Sequence, residues 1–472
     1  MISTKSAIAI MVLCLSGCTM APQYTRPDSP VPEKWGGKAG DIVAAKQVDS
    51  SATMASELKW REYFVNPKMQ KLIELALSNN RDLRVAALNI EKARAQYQIK
   101  RADLLPTINA TGSANIQRLP ASVSSSGRAT ISRQYNANLG FSAYELDFFG
   151  RVQSLKDQAL EQYLATEHAR NSAQISLVAE VANAFLTLAA DRERLKIAQD
   201  TLNSQQESFA LIQSRYEVGA SSELDLRQAQ TSVESARVDI ARYSSQVAVD
   251  ENALSLVVGT PISKELLPEG LTEITAVKDI KPGLPSDLIQ RRPDILQAEG
   301  ALKAANANIG AARAAFFPKI TINTNIGTTS DQLVNLFSPG SAAWLFAPQI
   351  SVPIFDTGRN IASLKMSEAE KKIALAQYEK AIQSAFREVS DALIQRDSLV
   401  AQQQAQIALT GASSESYRLA DARYKAGISS YLNVLDSQRS YYAARQGLVS
   451  VNQSRSTNLV AVYKVLGGGA DQ

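Results

Sequence analysis

Residues 215–230 read RYEVGASSELDLRQAQ, and residues 423–438 read RYKAGISSYLNVLDSQ, an echo at an offset of 208 positions. The FFGR that ends at Arg151 answers to the DTGR that ends at Arg359, and Gly259 answers to Gly467, at the same offset. Nearer the front the offset is 212: RDLRVAALNIEKARAQYQIKRADLLPTI (81–108) lies over PDILQAEGALKAANANIGAARAAFFPKI (293–320). A loop between these anchors can absorb the slip. So many anchors in one order set aside chance likeness between two alanine-rich helices. A copy this long is a duplicated domain, not a short solenoid unit.

A chain of 472 residues would ordinarily hold about three domains; the repeat gives two halves instead. The 50 Lys and Arg nearly cancel the 46 Asp and Glu and are interspersed with them, so no basic block points to nucleic acid. No phosphate-binding loop is written in the chain. His168 is the sole histidine and sits in the polar run TEHARN, which suits a solvated helix better than a catalyst. No Cys/His cluster has metal-ligand spacing. An enzyme is therefore not expected.

The chain opens MISTKSAIAIMVLCLSGC. Lys5 is a charged leader, and Ala7 to Leu15 is apolar but too short to span a bilayer, which takes about 20 residues. LSGC resembles a bacterial lipobox. Cleavage before Cys18 would leave a thiol for S-diacylglycerol and an amine for N-palmitoylation. Each buried methylene adds about 0.8 kcal/mol, so several chains make a stable anchor. The alternative is an ordinary signal peptide with Cys18 as an unpaired thiol in an oxidising compartment. No other cofactor is expected. After the lipobox, APQYTRPDSPVPEKWGG reads as an extended arm.

From Pro67 to Ala102 the apolar residues recur at helical spacing, and Pro106 and Pro318 end the first helix of each copy. The period then drops to two. Tyr135, Ala137, Leu139, Phe141 and Ala143 fall on one face of a strand; Asn136, Asn138, Gly140 and Ser142 fall on the other. Ile320, Ile322 and Ile326 alternate with Thr321, Asn323 and Asn325, and WLFAPQISVPIF groups Trp344, Phe346, Ile350, Val352 and Ile354. TINATGSANI is a weaker fourth strand. One apolar face and one small polar face is the pattern of a transmembrane barrel strand. A soluble sandwich alternates too, but four strands among so much helix argue against one. Four strands cannot close a pore, so several chains must contribute.

Long helices follow, over Val152 to Ser214 and Asn360 to Ala422, each roughly 95 Å long at 1.5 Å per residue. Tyr378, Ile382, Ala385, Val389 and Ala392 step along the second in coiled-coil rhythm. Shorter return helices are expected over 222–257 and 430–465. The echoed segments fall at the two hairpin tips. Gly219 and Gly427 suit the left-handed position that closes a helix, and Ser221 or Ser222, with Ser429 or Ser430, suit the cap of the next.

LSGC, RDLRVAALNIEKARAQYQIKRADLLP, YELDFFGR, DQALEQYLATE, LPSDLIQRRPDI, AARAAFFP, QYEKAIQSAFREVSDAL and the paired tips together resemble the outer-membrane efflux (TolC-like) family, in its OprM-like lipoprotein branch. The resemblance implies an α+β membrane protein: a homotrimer with a twelve-stranded barrel, four strands per chain, continuous with a periplasmic coiled-coil tunnel. It implies a passive exit duct in the outer membrane of a Gram-negative bacterium, serving a tripartite pump with a periplasmic adaptor and an inner-membrane resistance-nodulation-division (RND) transporter. Thr19 after the anchor is compatible with that membrane. The other reading is a lipid-anchored periplasmic coiled-coil scaffold.

By position, the resemblance assigns the periplasmic gate to Leu432, Asp436 and Arg439, with Asp225 bonding across to Tyr424. Three copies of Asp436 would form a carboxylate ring able to recruit cations. Asn433 and Ser429 stand where some relatives carry an acid and an Arg. Gly219, Ser222, Gly427 and Ser430 become adaptor-docking tips. Without the resemblance these residues read as a capped, solvated hairpin. The expected organisation is a signal peptide (1–17), anchored arm (18–66), first repeat (67–260), equatorial linker (261–285), second repeat (286–467) and tail (468–472).

Overall fold

A computed structural model describes residues 19–37, 40, 59–125, 127–271 and 291–468. Cys18, the signal peptide, parts of the arm and linker, and nearly all of the tail lie outside the described residues.

The elements run α1 (Trp60–Tyr63), α2 (Pro67–Asn79), α3 (Arg81–Ala102), β1 (Asn109–Leu119), β2 (Thr130–Leu146), α4 (Arg151–Glu217), α5 (Glu223–Val258), α6 (Pro293–Ala314), β3 (Lys319–Ser330), β4 (Ala342–Ser351), α7 (Arg359–Lys425) and α8 (Tyr431–Val465). The two long helices have 67 residues each. The first expected helix is in fact two. Asn80 separates them: its Oδ1 accepts from the N–H of Leu83 and caps α3, while its Nδ2 donates to the Val257 carbonyl.

The chain forms two compact units, and each draws on both copies of the repeat. One holds Asn89–Thr166 and Gln297–Tyr378, with the arm up to Asp28; the other holds Ser29–Leu88, Glu167–Leu296 and Glu379 onward. The cuts fall in the same elements of both copies, the first helix and the long helix.

In the first unit the strands form one antiparallel sheet in the order β1-β2-β3-β4, so the β2–β3 pair joins the two copies. Register sets the faces. Leu139, Phe141, Ile322, Ile326, Trp344, Phe346 and Ile350 share one side, with Ala110 and Ala114. Thr111, Ser113, Asn115, Asn136, Asn138 and Asn325 share the other. Leu139, Ile326, Trp344, Phe346 and Ile350 are exposed in the single chain. That is the signature of a surface that meets lipid instead of water.

Strict alternation fails at Ala143. The register passes from Phe141↔Thr324 to Tyr144↔Ile322, so Ser142 and Ala143 together oppose Asn323. Ala143 takes φ 55°, and the side chain of Asn323 accepts its N–H at 2.7 Å. This β-bulge takes Ala143 off the apolar series, which resumes at Tyr144 and Leu146. Val352 and Ile354 also leave the series, because β4 ends at Ser351 before Pro353.

The core of the second unit is helical. Val178, Val181, Ala182, Phe185 and Leu188 of α4 meet Leu254 and Val258 of α5 and Val460 and Tyr463 of α8. The arm packs on this core: Trp60, Tyr63 and Phe64 are buried here, Tyr63 stacks on Tyr463 at 4.9 Å, and Trp35 stacks on Phe386 at 4.8 Å. On α7, Tyr378, Ile382, Ala385, Val389 and Ala392 are all buried, as their spacing predicts.

Candidate functional site: the paired hairpin tips

The two tips close in the same way. After α4, Gly219 takes φ +76°; its N–H donates to the Tyr216 carbonyl at 2.9 Å, and the N–H of Ala220 donates to the Arg215 carbonyl at 2.7 Å. After α7, Gly427 takes φ +74°; its N–H donates to Tyr424, and the N–H of Ile428 to Arg423, both at 2.9 Å. This six-to-one closure satisfies carbonyls that a helix end leaves unpaired, and it needs a left-handed residue where glycine is least strained. Val218, Leu224 and Ile428 around the two glycines are exposed.

The next helices begin differently. Ser222 caps α5 in a capping box: its Oγ accepts from the N–H of Asp225 at 3.1 Å, and the Asp225 carboxylate accepts from the N–H of Ser222 at 3.4 Å. The same carboxylate accepts from the hydroxyls of Ser222 at 2.8 Å and Ser221 at 3.4 Å. Ser430 caps α8 without a side-chain bond. The residue three positions on is Asn433 where the first copy has Asp225, so no carboxylate is there to reciprocate.

Within the chain the Asp225 carboxylate, which the resemblance pairs with Tyr424, is engaged by the two serines just before α5. Tyr424 lies instead beneath the Arg215 guanidinium at 4.8 Å, with its ring 5.4 Å from that of Tyr431. A cation over an aromatic face is attracted by the ring's quadrupole.

Tyr431 is the central residue that sequence reasoning missed. It is 3% exposed and packs with Ile212, Ala229, Val434 and Leu435, while Phe209, Leu226, Tyr417 and Tyr424 close the cluster. Burial, then the neighbouring Tyr424, Tyr417 and Asp225, push its hydroxyl pKa up. A signal was present: Tyr417, Tyr424 and Tyr431 fall every seven residues, the spacing of one helical seam. A cleft of about 230 Å³ opens beside them, lined also by Glu207, Asp421 and Lys425. Lys425 bridges Asp421 at 2.7 Å.

The first turns of α8 divide cleanly. Tyr431, Val434, Leu435 and Gln438 are buried, whereas Leu432, Asn433, Asp436 and Arg439 are exposed. The gate candidates Leu432, Asp436 and Arg439 thus share the face that α8 turns away from its own core. Leu432 is 48% exposed, a large apolar side chain presented outward beside an acid and a base.

A family model described as outer membrane efflux protein matches the chain twice, over residues 72–260 and 284–468. The toluene efflux pump outer membrane protein TtgC of Pseudomonas putida is 48% identical over 468 residues, covering 99% of this chain and 96% of that protein. A membrane protein crystal structure from Pseudomonas aeruginosa superposes with a TM-score of 0.90 at 43% identity, covering 96% of this chain and 98% of the other. The open state of the Neisseria gonorrhoeae MtrE outer membrane channel superposes with a TM-score of 0.86 at 38% identity, covering 96% and 99%. The duplicated copies, the four-stranded sheet and the paired tips are therefore those of an outer-membrane channel, and the chain belongs to the outer membrane efflux protein family.

Proposed function

We propose that three copies of this chain close a twelve-stranded barrel and form a passive exit duct for small molecules, without catalysis. One observation carries this reading: among the described residues β1 and β4 each pair on one side only, and the sheet between them has an apolar face exposed in the single chain. The apolar face suits lipid, but open edges with unpaired N–H and C=O groups cannot stay in a bilayer, so they call for neighbouring copies. The periplasmic ends would meet an adaptor at Gly219, Ser222, Gly427 and Ser430, and through it an RND transporter of the inner membrane. Leu432 and Asp436, with Arg439, would line the constriction. A relative named for toluene efflux makes small hydrophobic compounds the first solutes to test.

Acylation of Cys18 belongs to the same reading. The residue after it, Thr19, hydrogen-bonds Ser154 at 3.0 Å in the first turn of α4, just beyond the end of β2. The arm continues along α6, where Asn306 donates to the Pro22 carbonyl at 2.7 Å and Arg26 pairs with Glu299 at 2.7 Å. A lipid attached before Thr19 would enter a membrane at the root of the sheet. The test of the whole reading is reconstitution of the purified protein in planar bilayers. Discrete conductance steps from a trimer support it; a membrane-bound protein that never conducts would leave only a scaffold.

A further inference from the structure

Two buried acids face each other in the second unit. Asp191 of α4 is 6% exposed and Asp250 of α5 is 8% exposed, and their carboxyls lie within hydrogen-bonding reach. We propose that Asp250 takes up a proton and donates it in a hydrogen bond to Asp191, which makes Asp250 a proton-binding site joining α4 to α5.

The charge count favours it. Arg194 donates to Asp191 at 2.6 Å, and its other nitrogen is held by Ser450 at 3.1 Å and Gln453 at 3.0 Å on α8. The nearby Arg192 is paired with Glu251 at 2.6 Å and also donates to the Pro268 carbonyl. Glu193 accepts from the N–H of Leu271. One guanidinium therefore serves two carboxyls. Gln246 donates to Oδ1 of Asp250 at 2.9 Å, but Oδ2 is buried and meets no donor among the described residues. An ionised oxygen there would be both desolvated and beside a like charge. A protonated one donates to Asp191 and resolves both problems.

The other copy of the repeat points the same way. At the offset of 208, Asp250 answers to Asn458, which is 5% exposed and donates through Nδ2 to the Ala392 carbonyl at 3.1 Å. A neutral donor of the same shape fills the equivalent place. Burial, followed by the hydrogen bond and charge of Asp191, pushes the Asp250 carboxyl up to about 6, against the pull of Gln246 and Arg194. The sign follows from linkage. A raised carboxyl favours the fold fully below the ordinary aspartate range and loses that contribution as pH rises towards about 6. The site is thus filled in a mildly acidic periplasm and emptied in a neutral one, on the two helices that lead to the first tip.

Infrared difference spectroscopy of wild type against Asp250→Asn reads the proton directly. A protonated-carboxyl band should be present in wild type, vanish as pH rises through about 6, and be missing from the variant. Amide exchange in α4 and α5 beside the pair gives a second readout. Above that pH the variant should be on the order of a hundredfold better protected than wild type, with the two converging in acid. Asp191→Asn provides a third chain should Asp250→Asn fail to fold: with its like-charged neighbour gone, the Asp250 band should titrate at lower pH. Absence of the band from wild type, or exchange indistinguishable between wild type and Asp250→Asn at every pH, would overturn the proposal.

Discussion

The backbone N–H of Ala143 donates to Oδ1 of Asn323 across the β2–β3 pair at 2.7 Å. The bond holds the bulge that keeps both ends of β2 in phase with β3. Asn323→Leu removes the acceptor and leaves that N–H unpaired, a loss of about 1–3 kcal/mol. The expected result is a lower yield of gel-stable oligomer with some material remaining folded. Unchanged yield would mean that the ladder on either side suffices.

The faces of the sheet make an ordered prediction. A lipid-facing Arg costs about 2–4 kcal/mol near the bilayer midplane and little near its surface. Phe141→Arg should depress membrane assembly more than Asn138→Arg, because Phe141 lies on the apolar side and Asn138 on the polar side. The reverse order would exchange inside for outside.

Much of this was legible in the chain. Alternation in YNANLGFSA and ITINTNIG reports which residues share a face, because burial acts on every second side chain. The bulge is not legible, since its cause is a partner residue 180 positions away in the other copy. The tips divide likewise. Gly219 and Gly427 announce themselves, as only a left-handed turn makes glycine worth placing there. The engagement of Asp225 by Ser222 within the chain follows from the Ser-x-x-Asp spacing of the capping box, whereas its pairing with Tyr424 comes from family position alone. Tyr431 was hidden because its heptad crosses the break between α7 and α8.

The caps predict unequal tips. Ser222→Ala should cost about 1 kcal/mol and raise amide exchange in the first turn of α5. Ser430→Ala should change little, because Ser430 makes no side-chain cap bond. Equal effects would remove the capping box as the source of the difference.

The arm should respond to acid. Burial raises the Glu299 carboxyl, but Arg26, Lys303 and Tyr24 more than offset it, so the group sits below its ordinary range. A depressed carboxyl stabilises above that range and loses its contribution as pH falls through its folded value. Protection of the arm's amides around Tyr24 against hydrogen exchange, corrected for the intrinsic pH dependence, should therefore be high at neutral pH and fall in acid. Arg26→Ala should make it low at both. Protection indifferent to Arg26 would mean that the arm is held elsewhere.

The central claim is a conducting duct whose constriction is built from the exposed face of α8. Single-channel recording of Leu432→Ala combined with Asp436→Ala, beside wild type in the same bilayers, tests it most directly. A symmetric ring of a few lost contacts is enough to invert a closed population, since about 5.5 kcal/mol spans 1:99 to 99:1. The double variant should open more often and to a larger conductance, and block by trivalent cations from the periplasmic side should weaken. Conductance and block identical to wild type would contradict the account and place the constriction elsewhere in the tunnel.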